Sequence, residues 1–511
     1  MSEDLTRRRL FELAGKSAAG AAGLSLSGCL AGTGARPEAT LPASGASAGP
    51  PFVSRPDLTP PRITITQHRL GADSRYIFLN APYSGPGHGG TIIVDPHGEF
   101  VWFGANTAAH HRMNFDVQSY NGRPVLTWYQ GLVTGGFGRG ELVIADSSYK
   151  ILQVIQPVNG DLADFHEFVV TPQDTALITV YRRHSGVDLR AVGGPSRGYI
   201  ISGVIQEIDI ATGNLLFEWD SWDGDHPPVQ VTESYQKRGV GDGGDGSLSR
   251  PYNYCHLNSL AIDQDGDLLV SARNTCAVYK VSRKTGKIVW RLNGKESDFT
   301  MGPGSKFWWQ HHVRPHSTGR LSIFDNAANG PAVNEKQSRA LILCLDTDAM
   351  LATLDKAYIH PGQKILAGAM GSVQLLGDGK VFVGWGTQPH FSEFSADGRL
   401  LLDGDIEKGD ASYRAFMHNW TGHPTELPAA DARHRAGGGA TVYASWNGAT
   451  QVTSWTVYAG KTQTSLVEVA SARRAGFETA IAVQSAGPYF AVQPRDAAGR
   501  PLSRSAPVGI A

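Results

Sequence analysis

Apolar and polar positions alternate in short bursts along this chain, and five of the bursts share one layout: a short strand, a polar turn and a second apolar strand. They run from Asn114 to Trp128, His166 to Tyr181, His256 to Arg273, His311 to Asn326 and Ser372 to Trp385. Each reads as a β-hairpin, and the second, third and fourth open on a histidine. A recurring unit means a repeat architecture, here with a step of roughly fifty to sixty residues. One step is longer because of an excursion from Asp225 to Asn253, rich in Gly, Asp and Pro, that reads as an inserted loop.

Further strand pairs lie between the hairpins, such as Ile208 to Trp219 turning at Gly213 and Val281 to Trp290 turning at Gly286. Ile77 to Phe103 supplies strand material for a sixth repeat. Four strands per repeat is the content of a β-propeller blade, so the expected fold is all-β, a six-bladed β-propeller over residues 59–424. A β-sandwich or an irregular solenoid explains less well a polar residue at the same place in each unit. Residues 424–439 read as a linker rich in Pro, Ala, Arg and Gly. Short strands from Ala440 onward suit a small β-sandwich over residues 440–511, similar to a fibronectin type III domain, with Trp446 and Tyr489 as core aromatics.

The N-terminal residues read as a signal. Arg8-Arg9-Leu10-Phe11 has a twin-arginine pattern and is followed by a small-residue, weakly apolar stretch from Leu13 to Ser27. Leu26-Ser27-Gly28-Cys29 resembles a bacterial lipoprotein box, which predicts a signal over residues 1–29, lipidation at Cys29 and a flexible linker over residues 30–58. The expected location is extracytoplasmic, at the cell membrane through a lipid anchor. With a net charge of −1 across 511 residues, the chain has no electrostatic footprint for nucleic acid. Cys255, Cys276 and Cys344 have no metal or redox spacing, and unpaired core thiols are expected.

In a circular repeat, equivalent positions meet at the axis, so His166, His256 and His311 are expected to converge. Within its hairpin, Arg273 falls back beside His256 and Asn258, and Asp325-Asn326 closes the His311 unit at the same end. Several histidines with an arginine suit a tetrahedral oxyanion. Three histidines can also hold zinc, but Arg273 argues against a cation, and no metal or cofactor is called. Singly, each is more readily a satisfied core histidine than a catalytic one; as equivalent positions of repeats, the set favours function. His110-His111 and His97 read as loop residues, and His360, His390, His418 and His423 belong to no equivalent set.

Asp164-Phe-His-Glu-Phe168, Tyr254-Cys-His-Leu-Asn-Ser259, Ser271-Ala-Arg273, Trp290-Arg-Leu-Asn-Gly294, Asp298-Phe-Thr-Met-Gly302, Gln310-His311, Phe324-Asp-Asn326, Ser338-Arg339 and Gly384-Trp-Gly386 together resemble the arylsulfotransferase family, in its actinobacterial and fungal branch. The resemblance runs from about residue 60 to 424. It implies a six-bladed propeller that moves a sulfuryl group from an aryl sulfate to a phenol without a nucleotide donor. By the same resemblance His311 is the transiently sulfated nucleophile, His256, Asn258 and Arg273 grip the sulfuryl oxygens, His166 is a further site histidine, and Ser372 matches a hydroxyl residue that binds substrate. The disulfide typical of enterobacterial members has no counterpart. The implied partners are a small-molecule aryl sulfate and a phenol.

Sulfuryl transfer then depends on positioning and on neutralising charge at the equatorial oxygens, with a neutral imidazole attacking sulfur. Either His256 or His166 can serve the departing oxygen. Strand alternation sends His311 to the axis and its neighbour His312 into the blade. Two competing readings are a non-catalytic surface lipoprotein that binds an anionic or aromatic ligand, and a quinoprotein-like dehydrogenase. The second fits six counted blades and the lack of a calcium-ligand cluster poorly.

Overall fold

The computed structural model describes residues 51–82, 88–224, 226–317, 319–330, 332–485 and 487–511, so Arg8, Arg9, Cys29 and most of the expected linker lie outside the described residues. All five predicted hairpins form as antiparallel pairs. Two strands follow each hairpin. After the third come Ala277–Val281 and Ile288–Leu292, which complete a four-stranded sheet. Ile77 to Phe103 supplies three strands of another sheet, and its fourth strand is Phe416–His418, from far along the chain. The strand Ile63–His68 adds to Leu400–Ile406 on the sheet of the fifth hairpin. The two ends of this unit are thus interlocked by strand pairing.

Burial grades across the sheets. Every residue of Leu268–Ala272 is buried, whereas in the outer strand Ile151–Ile155 only Ile155 is. Continuous apolar runs mark strands covered on both faces. The first strands of the hairpins lie against one another and are joined by polar groups at the centre. Glu167 accepts both Nη1 and Nη2 of Arg414 at 2.7 and 3.0 Å, Nη2 of Arg314 at 2.7 Å and the Leu260 amide at 3.2 Å. Arg414 also donates to Asn114 Oδ1 and to the carbonyls of His166 and Asn258. Val313 N–H donates to Ser259 Oγ, and Ala415 N–H donates to Ser372 Oγ.

The C-terminal strands form two facing sheets. One contains Ala429–His434, Ala440–Ser445 and Glu478–Val483; the other contains Val467–Arg473, Ser454–Gly460, Tyr489–Arg495 and Val508–Gly509. Ala429–His434 falls inside the stretch read as linker, so the module starts earlier than Ala440. The core aromatics are Trp455 and Phe490, not Trp446 and Tyr489. The Tyr489/Phe490 exchange is a one-residue phase error, which in a period-two strand swaps inside for outside. This module is fastened to the larger unit by Asn447, whose carboxamide accepts the Phe103 amide and donates to its carbonyl, both at 2.9 Å. The end of the expected flexible linker is also fixed. Phe52 is buried against Phe100 and Phe477, and Ser54 donates to Glu478.

Burial pushes the Glu167 carboxyl up, but the two guanidinium groups outweigh it and hold it at about 2. A folded-state value below the unfolded one means stability present above about pH 4.3 and lost as pH falls toward the folded value. Glu167→Gln leaves two arginines uncompensated and should cost about 3–5 kcal/mol in urea unfolding at pH 7. The gap to the parent protein should narrow in acid. A gap independent of pH would contradict the ion pair's role.

Candidate active site

The three histidines meet. The rings of His166 and His256 are nearly perpendicular with centroids 4.8 Å apart, and the charge of His311 acts on His256 and that of His166 on His311. Their relative exposures are only 3, 4 and 2 % for His166, His256 and His311, so the cluster is closed to solvent. His256 reaches it from a left-handed backbone position (φ 56°), just before the strand Leu257–Ile262. Simple alternation with Asn258 therefore does not explain its direction. Arg273 N–H donates to the His256 carbonyl at 2.8 Å, which places Arg273 beside His256 as the hairpin geometry predicts.

Each ring nitrogen with a partner reveals a tautomer. His311 Nδ1 donates to Asn326 Oδ1 at 2.7 Å, which leaves Nε2 with its lone pair, met by the Met370 amide at 3.2 Å. Asn253 Nδ2 donates to His256 Nδ1 at 2.9 Å, so the proton of neutral His256 is on Nε2. His166 Nδ1 donates to Asp164 Oδ2 at 2.5 Å, the Asp164 carboxylate being itself buried. Among the described residues, neither His166 Nε2 nor His256 Nε2 has a hydrogen-bond partner.

Arg273 runs along the face of Trp309 and donates to Asn274 Oδ1, Asn329 Oδ1 and the Gly368 carbonyl. Its Nε, the Asn258 Oδ1 and the Gln310 Oε1 are buried without partners; the first is a donor of the kind a bound oxyanion uses, and the two oxygens are acceptors for a hydroxyl or N–H. Asn258 Nδ2 meanwhile donates to the Gln310 carbonyl at 2.6 Å. Ser372 is not brought to the cluster by its hydroxyl, which bridges to the backbone of Ala415, donating to the carbonyl and accepting the amide.

His312 goes elsewhere. Its Nδ1 accepts the Val373 amide and its ring lies 5.3 Å from Phe416, on the packing surface between first strands. The separation of His311 from His312 was predicted by alternation, but the register is broken between His311 and Arg314 and His312 is left-handed (φ 50°). A bulge re-aims the chain here. Sequence reasoning missed Asp164, Asn253, Tyr413 and Arg414. Tyr413 donates to the His166 and Asn258 carbonyls at 3.0 and 3.3 Å. The Asp164-x-His166 spacing was a usable signal; nothing local marks Tyr413 or Arg414. Cys255 and Cys276 are free and buried, and Cys344 is free, as expected.

Burial, then Arg273, pushes the His311 imidazole well below its ordinary value, against the Asn326 hydrogen bond. Burial, then His166, Arg273 and His311, does the same to His256, and burial with Arg314 and Arg414 to His312. Such groups stay neutral when folded, whereas the unfolded chain takes up protons below about pH 6.5. The thermal midpoint should therefore fall steadily from pH 7 to pH 5, above the range in which carboxylates titrate. A flat profile would mean that these histidines are not held neutral.

No curated protein matches this chain in sequence. Among solved structures it is similar to a Bacteroides caccae protein of unknown function, at 11% identity over 67% of this chain and 98% of that one, TM-score 0.39. A Lactobacillus plantarum protein is similar at 14% identity over 86% and 97%, TM-score 0.34. A virginiamycin B lyase from Staphylococcus aureus is similar at 10% over 66% and 78%, TM-score 0.29. No activity is carried over from them. The family model described as Arylsulfotransferase (ASST) matches residues 116–408.

Proposed function

The chain belongs to the arylsulfotransferase family, and from that premise we propose that it moves a sulfuryl group from an aryl sulfate to a phenol through a sulfated His311, without a nucleotide donor. The observation that carries this reading is a buried imidazole, kept neutral, with Nδ1 donating to Asn326 and the lone pair on Nε2, where it accepts the long Met370 amide contact, beside Arg273, His166 and His256. The surrounding fold is read as six blades of a β-propeller. That reading is supported by first strands tied to one another through Asn114, Glu167, Asn258, Val313, Ser372 and Arg414.

In the first half-reaction the Met370 amide gives up its hydrogen bond to His311 Nε2, the freed lone pair attacks sulfur, the bond from sulfur to the aryl oxygen breaks, and the phenolate takes a proton. In the second, an acceptor phenol gives up its proton, its oxygen attacks sulfur, the S–N bond breaks and His311 returns neutral. Arg273, through its unpartnered Nε–H, and the Nε2–H of His256 face the charge on the equatorial oxygens, while Asn258, whose Nδ2 is held by the Gln310 carbonyl, presents Oδ1 and can accept a hydrogen bond from the acceptor phenol's hydroxyl. Of the two remaining histidines His166, with Nδ1 fixed on Asp164 Oδ2, is the proton carrier, because His256 has the Asn253 amide at its Nδ1 and is pushed by burial toward the neutral form. Ser372 is left to a packing role by its bonds to Ala415.

Purified protein given 4-nitrophenyl sulfate and a phenol, with no nucleotide or metal, should release nitrophenol in an acceptor-dependent way. His311→Ala should lower the rate by about 10⁴-fold or more, and Arg273→Gln by about 10²–10³-fold. His312→Ala should keep most of it. Silence across a broad donor panel would favour a binding module. We further propose export by the twin-arginine route and anchoring at Cys29. Replacing Arg8 and Arg9 with lysine should strand the protein in the cytoplasm, and Cys29→Ala should release it from the membrane; unchanged attachment of the Cys29 variant would refute the anchor.

A further inference from the structure

Something must move before a substrate can reach the cluster, since all three histidines are closed to solvent. Among the described residues, two segments lie against it. The excursion that approaches Arg273, with Asp242 Oδ2 3.6 Å from Nη1, is tied down: Tyr235 N–H donates to the Asn274 carbonyl, Tyr252 donates to the Gln236 carbonyl, and Gln236 accepts Asn329. The other cover is the far end of the hairpin Arg123–Thr134/Phe137–Ala145.

That end is built to bend. Gly131 faces Gly140 across the ladder, and a Cβ at Gly131 would stand 2.5 Å from the Gly140 Cα, one at Gly140 2.8 Å from the Gly131 Cα. Only glycines fit this crossing, which leaves no side chains there to stiffen it. Beyond it, Thr134, Gly135 and Gly136 are exposed, and both glycines have positive φ (60° and 83°), the backbone of a tight hairpin turn. A Cβ at Gly136 would lie 3.9 Å from His256 Cε1, so the tip sits over that imidazole. Phe137 is half-buried, with its ring edge-on to Tyr181 at 4.6 Å and 5.5 Å from His256. The Gly138 amide donates to Asp164 Oδ1 at 2.6 Å, and the other oxygen of that carboxylate holds His166.

We propose that residues 132–139 form a flap hinged at Gly131 and Gly140, and that Phe137 on it packs against the aryl ring of the substrate and keeps water from the sulfated histidine. The assignment of Phe137 to an aryl ring rests on the sulfotransferase reading; the flap itself does not. Lifting it breaks the Gly138–Asp164 hydrogen bond, the two ring contacts, and the bonds by which the buried Tyr129 hydroxyl donates to the Leu132 carbonyl at 2.7 Å and accepts the Arg139 amide at 2.8 Å, and it uncovers the edge of His256. A ring admitted there meets Phe137, Tyr181 and the imidazole faces, in the offset or edge contacts that aromatic pairs favour. With the flap down, the acceptor phenol is the nucleophile at hand. With Phe137 removed, a water oxygen attacks sulfur, the S–Nε2 bond breaks with its electron pair returning to His311, the water's proton passes to His166, and sulfate leaves.

Two measurements on the full-length protein test this. Without substrate, diethyl pyrocarbonate should modify His256 about tenfold faster in Phe137→Ala than in the parent, with His312, buried away from the flap, unchanged as the internal reference. Amides of residues 132–138 should exchange hydrogen faster than those of residues 124–130 in the same hairpin. Equal His256 labelling in both proteins, or uniform exchange along the hairpin, would overturn the flap. With 4-nitrophenyl sulfate and phenol, Phe137→Ala should raise the ratio of free sulfate to transferred sulfuryl about tenfold, and Phe137→Tyr should keep the parent ratio. An unchanged ratio in the alanine variant would overturn the role of Phe137. A parent protein that transfers nothing while His256 labelling still responds would sink the sulfotransferase reading and leave the flap standing.

Discussion

One buried carboxylate holds this molecule in register. Glu167, 1 % exposed, lies between Arg414 and Arg314, and three charges taken out of water are tolerable only while all remain paired. The partners come from distant stretches of chain, so the pairing forces their strands to one place. Glu167 is also the residue after His166, and Arg414 holds the His166 carbonyl with the same Nη2 that binds Glu167. The position of His166 and the meeting of the first strands are therefore one constraint. Tyr413 adds a second grip on the same carbonyl and on that of Asn258.

The charge balance at that centre also shapes its chemistry. One glutamate faces two arginines, and Arg273 stands nearby with its closest carboxylate, Asp242, 3.6 Å away and partly exposed. Burial first, and the residual positive charge after it, keep His256, His311 and His312 neutral, and the same positive charge favours an anion. A cation would meet the same field unfavourably. Neutral imidazoles suit nucleophilic attack at sulfur, while His166, alone of the three clustered histidines, has its Nδ1 on a carboxylate, Asp164, which fixes its ring.

Much of the larger unit was legible in the sequence, because each hairpin is local: its strands, turn and apolar run lie within about twenty residues, as hairpin contacts do. The convergence of His166, His256 and His311 followed from equivalence among those hairpins. What the period did not contain was less visible. Tyr413 and Arg414 lie outside any strand and act only across the centre. His256 and His312 point as they do because of left-handed backbone at those positions, which alternation does not foresee. In the C-terminal module, one residue of phase decided between Tyr489 and Phe490. Pro51 to Leu58 reads as tether by composition, yet Phe52 finds Phe100 and Phe477, partners that only the folded chain brings near.

The central claim is that His311, held by Asn326, carries the sulfuryl group between donor and acceptor. It is tested most directly by peptide mass mapping after brief exposure to aryl sulfate alone, quenched at alkaline pH to preserve a phosphoramidate-like S–N bond. The account predicts the mass of one sulfuryl group on His311, lost again on addition of a phenol and absent in His311→Ala. Label on His312, or label that survives in the His311 variant, would contradict it.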